Sequence, residues 1–128
     1  MGTAKVLIVD DQMPMRHILR SLLSKAGYRV VAEASNGKKA IEMNAQFKPD
    51  LICLDITMPG MDGIETLKKL KNDHPDVLVI MITGHSNRKD IEAAIEAGAS
   101  GYIVKPIHAG KTIQTVQRIL ANRFEIQP

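Results

Sequence analysis

The sequence predicts an α/β fold built on a five-stranded parallel sheet, and three observations carry that prediction. Short β-rich runs alternate with helical patterns five times along the chain. Runs such as Val6 to Val9, Leu51 to Leu54 and Val77 to Ile82 are apolar throughout, as strands buried on both faces are. The connections are short, so each helix crosses back over the sheet and covers one of its faces. A chain of 128 residues fits one domain, and a chain of that length buries roughly two-thirds of its unfolded surface. Residues 1–128 are therefore read as a single domain, with a core over about residues 5–122 and a tail at residues 123–128.

The elements follow in order. The first strand is Lys5–Val9. Ile18, Leu19, Leu22, Leu23 and Ala26 then share one helical face, with Pro14 in the first turn and Gly27 as the stop. The second strand is Arg29–Ala34, followed by turn chemistry at Ser35-Asn36-Gly37. A helix through Ala40, Ile41 and Ala45 ends before Pro49-Asp50. The third strand is Leu51–Leu54; Ile64, Leu67 and Leu70 mark the next helix, closed by His74-Pro75. The fourth strand is Val77–Thr83, and a helix through Ile91, Ala94, Ile95 and Ala97 stops at Gly98. Gly101–Val104 is the last strand. The final helix is expected to open at Lys111 or Thr112 and to run through Ile113, Val116, Ile119 and Leu120. Right-handed crossovers among five strands favour the doubly wound order 2-1-3-4-5, the flavodoxin-like (βα)5 arrangement.

Composition narrows the function classes. The 17 Lys plus Arg and 14 Asp plus Glu leave a net charge of +3. The basic residues are scattered as pairs with acids close by, aromatics are 3%, and Trp is absent. That is a solvated surface, not a base-stacking platform, and no direct nucleic-acid contact is expected. The lone Cys53 excludes an internal disulfide and suits a reducing compartment, so a cytoplasmic location is expected. It sits inside an apolar strand as a small hydrophobe. No apolar run is long enough to cross a membrane, and Met1 to Lys5 does not open a signal peptide. The seven methionines read as gap fillers, although Met58 and Met61 lie on a loop where a partner could touch them.

In doubly wound sheets the site lies beyond the carboxyl ends of the strands. There the chain places Asp10-Asp11, Asp55, Thr83-Gly84 and Lys105-Pro106. In the predicted order the first and third strands are neighbours, so Asp10, Asp11 and Asp55 converge. At about 4 Å and an effective dielectric near 20, each carboxylate pair costs on the order of 4 kcal/mol. Lys105 supplies one positive charge, too little for three acids. Mg²⁺ fits the remainder, being a hard ion that takes one or two carboxylates and phosphate oxygens. His17, His74, His85 and His108 show no metal spacing, so zinc is not expected. A metal beside a carboxylate and an ammonium suits phosphoryl transfer. Asp55, alone at the end of its strand, is the best nucleophile; Asp10 and Asp11 suit metal ligation.

Together these residues carry a resemblance. Asp10-Asp11 after an apolar strand, Leu54-Asp55 followed by Met58-Pro59-Gly60-Met61-Asp62-Gly63, Thr83-Gly84, and Tyr102 through Lys105-Pro106 resemble the receiver domain of two-component response regulators, over about Lys5 to Leu120. The resemblance implies that Asp55 accepts a phosphoryl group from a sensor histidine kinase or phosphotransfer protein. It implies Mg²⁺ on Asp11 directly, on Asp10 largely through water, on Asp55, and on the main-chain carbonyl of Thr57. It implies that Lys105 pairs with the phosphoryl oxygens, that Thr83 hydrogen-bonds them, and that Tyr102 is a rotamer switch coupled to Thr83. It further implies an effector docking at the face of the fourth helix, fifth strand and fifth helix, a monomer or phosphorylation-dependent dimer, and no turnover beyond the chain's own phosphorylation and dephosphorylation. Thr57 and His85 stand where the family modulates phosphoryl lifetime, and the small Gly84 leaves access to Asp55 open.

Each feature also has a plainer explanation. Asp10-Asp11 could cap a helix, Asp55 could end a strand in a turn, and Lys105 could be a surface lysine. Thr83 could open a helix, and Tyr102 could be a half-buried core aromatic. Two decoys fail: Ala109-Gly110-Lys111-Thr112 lacks the first glycine of a P-loop, where Lys105 stands, and Asp55-Ile56-Thr57 lacks the acid pair of haloacid-dehalogenase-type phosphatases, where Cys53 stands. Two further readings stay open: a pseudo-receiver that binds partners without phosphorylation, and the receiver of a longer DNA-binding regulator.

Overall fold

The computed structural model describes residues 3–56, 63–84 and 88–125, with side chains as far as residue 121. Its elements alternate as β1 (Lys5–Val9), α1 (Met13–Lys25), β2 (Arg29–Ala34), α2 (Gly37–Phe47), β3 (Leu51–Asp55), α3 (Gly63–Asp73), β4 (Leu78–Thr83), α4 (Arg88–Glu96), β5 (Gly101–Val104) and α5 (Ala109–Glu125). The strands form one parallel sheet in the order β2-β1-β3-β4-β5, the order the alternation predicts.

Successive side chains along a strand point to opposite faces, and here both faces are covered. Leu7, Val9, Ile52, Leu54, Val79 and Met81 pack with Ala40 of α2, Leu67 and Leu70 of α3, and Ala94 of α4. Val6, Ile8, Leu51, Cys53, Ile80 and Ile82 pack with Leu19 and Leu23 of α1 and with Val116, Ile119 and Leu120 of α5. Cys53 is buried, and desolvation pushes its thiol up to about 12. It is an inert small hydrophobe.

Local chemistry sets the helix ends. Asn36 caps α2, its Oδ1 accepting the Lys39 N–H at 2.9 Å. That helix leaves through Lys48 in the left-handed region at φ 44°. Gly27 and Gly98 carry φ of 95° and 108° beyond α1 and α4, a conformation open to glycine.

Four boundaries differ from the sequence reading. β3 includes Asp55, which pairs with Ile82. β4 starts at Leu78, because the Val77 N–H donates to the His74 carbonyl at 3.1 Å and holds Val77 in the turn after α3. α5 starts at Ala109 instead of Lys111 or Thr112. The Thr112 N–H donates to the His108 carbonyl at 2.9 Å, so helical bonding begins at His108 despite the weakly apolar start. At its other end α5 runs to Glu125, into the stretch read as a tail.

Two packing details give opposite stability predictions. A Cβ on Gly63 would lie 2.9 Å from the Ile56 Cα and 3.0 Å from its carbonyl oxygen. Backbone cannot yield cheaply, so Gly63→Ala should cost about 1–3 kcal/mol. The Thr112 hydroxyl is buried with no hydrogen-bond partner among the described residues. Thr112→Val keeps the shape and removes that polar atom, and should add about 1 kcal/mol. Urea denaturation midpoints check both.

Candidate metal and phosphoacceptor site

Parallel register brings the acids together. Val9 of β1 pairs with Leu54 of β3, so the next residues, Asp10 and Asp55, stand level at the carboxyl end of the sheet. The Asp10 N–H extends the ladder to the Ala34 carbonyl at 3.0 Å, and the Ile56 N–H does the same to Ile82 at 3.0 Å. Carboxylate oxygens of Asp10, Asp11 and Asp55 all lie within 4.8 Å of one another. Asp10 and Asp55 are buried, whereas Asp11 is exposed at the rim.

Lys105 follows β5 and points back at this cluster. Its Nζ lies 3.4 Å from Asp55 Oδ2 and 3.9 Å from Asp10 Oδ2. Its main-chain N–H donates to the Thr83 carbonyl at 2.7 Å, which ties the lysine to the end of β4.

The plainer reading of Asp10-Asp11 as a helix cap does not describe α1. Gln12 occupies the cap position, and its side chain makes no capping bond. Asp10 Oδ1 instead accepts the Gln12 N–H at 2.8 Å and shapes the turn. Asp10 Oδ2 is buried without a hydrogen bond among the described residues. Burial pushes the Asp10 carboxyl up to about 6, helped by the charges of Asp55 and Asp11 and opposed by the Gln12 N–H and Lys105.

The residues fit a hard divalent cation. Three carboxylates and one ammonium sum to a formal charge of −2, one buried oxygen lacks a hydrogen bond, and all donors are oxygen. Among the expected site residues, Asp10, Asp11, Asp55 and Lys105 are thus brought into one cluster. Thr83 is buried at the end of β4. It lines a crevice with Ile56, Met81, Asp90, Ile91, Ala94 and Tyr102. Tyr102 is 45% exposed, so it is no core aromatic in this state. A Cβ on Gly84 would meet nothing within 4 Å, so space is open there. Thr57, His85, Met58 and Met61 lie outside the described residues.

Sequence reasoning missed Arg16. Its Nη1 donates to the main-chain carbonyl of Asp10 at 2.8 Å, and its Nε donates to Glu33 Oε1 at 3.1 Å. An arginine one turn inside α1, opposite a glutamate near the end of β2, was the available signal.

The family model for the response regulator receiver domain matches residues 6–117. The chain belongs to the response regulator receiver domain family. Chemotaxis protein CheY of Bacillus subtilis is 40% identical over 116 residues, which cover 91% of this chain and 97% of that protein. A CheY-like receiver domain protein from Methanospirillum hungatei superposes with a TM-score of 0.90 at 25% identity, covering 97% of this chain and 98% of that one. The CheX-CheY-BeF3-Mg²⁺ complex from Borrelia burgdorferi superposes with a TM-score of 0.86 at 30% identity, covering 91% and 89%. These neighbours share the flavodoxin-like architecture, and receiver domains bind Mg²⁺ at an acidic cluster of this kind.

The Asp10 environment makes this receiver domain sensitive to pH. Burial on folding pushes that carboxyl up from its ordinary value of 3.8 to about 6. The folded chain holds the proton more tightly between those values, so the associated stability is present below about pH 4 and is lost as pH rises through 6. Urea denaturation in EDTA should show that decline. Asp10→Asn should flatten it and raise stability near neutral pH by about 1–3 kcal/mol.

Proposed function

We propose that this receiver domain accepts a phosphoryl group on Asp55 from the phosphohistidine of a sensor histidine kinase or phosphotransfer protein, in a Mg²⁺-dependent reaction. The observation that supports it best is the convergence of Asp10, Asp11 and Asp55 with Lys105 at 3.4 Å from the Asp55 carboxylate. Asp10, Asp11, Asp55 and the main-chain carbonyl of Thr57 would hold the ion. When bound, Mg²⁺ supplies charge neutralisation to the transferring phosphoryl oxygens.

The chain's own residues supply the rest. An Asp55 carboxylate oxygen attacks phosphorus in line; the O–P bond forms as the P–N bond breaks, and the imidazole nitrogen leaves with the electron pair. Lys105, already held against Asp55, pairs with the phosphoryl oxygens. Thr83 donates its hydroxyl to the same group. The product carries about −1.5 to −2 charge in place of the single carboxylate charge of Asp55, and adds strong acceptor oxygens beside Asp10 and Asp11.

That charge biases the surface of α4, β5 and α5, where we place the effector. The crevice between Thr83 and Tyr102 holds only about 10 Å³, too little for a phenol ring. An inward turn of Tyr102 therefore requires the crevice lining, which includes Asp90, Ile91 and Ala94 of α4, to repack. The same face exposes Ile95 and Tyr102, apolar surface that a protein partner can cover. The chain acts as a monomer or as a phosphorylation-dependent dimer, without direct contact to nucleic acid. Among the described residues no helix is long and apolar enough to cross a membrane; the buried thiol of Cys53 supports a cytoplasmic location.

Incubation with acetyl phosphate and Mg²⁺ should add the mass of one phosphoryl group to the wild type. EDTA or Asp55→Asn should abolish the gain, and Lys105→Ala should leave little switching of amide shifts in α4 and β5. No gain on the wild type, with no Mg²⁺-dependent change at Asp10 and Asp11, would instead identify a pseudo-receiver.

A further inference from the structure

We infer that Arg16 is a positioning residue for the metal site, acting on the Asp10 main chain from its anchor on Glu33; this rests on the Mg²⁺ reading above. β2 ends at Ala34, and the Asp10 N–H makes the last ladder bond to it. In a parallel strand the N–H and carbonyl of one residue face the same neighbour. The Asp10 carbonyl therefore faces β2 just where that strand has ended. The Arg16 guanidinium supplies the missing donor, Nη1 to the Asp10 oxygen at 2.8 Å.

The guanidinium is itself held. Its Nε bonds Glu33 Oε1 at 3.1 Å, and the other Glu33 oxygen takes Arg20 Nη1 at 2.6 Å. Burial pushes the Glu33 carboxyl up, but hydrogen bonds and charge from Arg20 and Arg16 together outweigh it and hold the carboxyl below its ordinary range, so it stays ionised. Arg16 is 15% exposed and Arg20 55% exposed, so the inner arginine is packed in place and the outer one is solvated. The planar fork donates through Nε to an acid on β2 and through Nη1 to the carbonyl just past β1, two donors in one fixed geometry; a lysine's flexible point charge lacks that rigid spacing. The carbonyl it fixes belongs to the residue whose side chain faces Asp55, and the next residue is Asp11. Loss of this bond frees the turn that aims two of the three carboxylates.

The sign of the effect separates this role from simple electrostatics. Removing a cation beside an acidic cluster should tighten Mg²⁺ binding through Coulomb attraction alone. Removing a positioning donor should weaken it. Titration of the intact chain with Mg²⁺ at fixed ionic strength, followed by calorimetry and by the amide shifts of Val9 to Gln12, reads the difference. Arg16→Met should weaken Mg²⁺ binding about tenfold or more, and Arg16→Lys should lose nearly as much. Glu33→Gln keeps an acceptor but loses the anchoring charge, and should cost about two- to fivefold. Arg20→Met leaves the inner fork intact and should stay within about twofold of the wild type. Unchanged or tighter Mg²⁺ binding by Arg16→Met, with only a lowered urea midpoint, assigns a merely structural role and overturns the inference. Wild-type binding by Arg16→Lys overturns it as well. If Arg16→Met shows no folding transition, Glu33→Gln decides by the same criterion. A wild type that binds no Mg²⁺ sinks the reading of the site itself, and the inference with it.

Discussion

The constraint on which this structure depends is repulsion between carboxylates that the sheet forces together. Asp10 and Asp55 emerge level from paired strands, and neither can retreat, because each is still tied to the ladder at or beside its own position. Burial raises the cost by removing water, and the Asp10 carboxyl is pushed up to about 6 as a result. Lys105 offsets part of the charge from the far side of β3 and β4. What remains is a standing preference for a cation. The cluster therefore needs support from packing elsewhere.

That support is the double-sided core. The same alternation that sends Leu7 and Val9 to one helix layer sends Val6 and Ile8 to the other. A strand clamped between two layers cannot slip register without exposing apolar side chains. The acid cluster thus inherits its geometry from residues with no chemistry of their own. Arg16 and Glu33 extend the restraint past the point where backbone pairing stops.

The other half of the proposed switch lies at the end of β4 and on β5. Thr83 is buried at the end of β4, while Tyr102 on β5 is half exposed and lines the same crevice. In the proposed switch, an anion at Asp55 would bias Tyr102 through repacking of the crevice that Thr83, Tyr102 and α4 line. Local charge and a small two-state surface suffice for such coupling.

The fold was legible in the sequence because its determinants are local. Apolar runs marked the strands, Asn36 and Pro14 marked helix starts, and Gly27 and Gly98 marked stops. Boundaries slipped where a single main-chain bond decided them, as at Val77 and His108. The acids and the lysine were also legible, since strand ends can be found without coordinates. Their separations could not be, because Asp10 and Asp55 stand 45 positions apart in the sequence and are brought together by strand pairing, a matter of register. Arg16 was missed for the same reason: its partners are a backbone carbonyl and an acid on another strand, which the sequence pairing only hints at. By itself the sequence determined which elements form and which residues stand at their ends, through side-chain pattern. Only the tertiary structure decided which oxygen is left without a hydrogen bond, which charge faces it and which side chain holds the turn, because those depend on how separate elements pack.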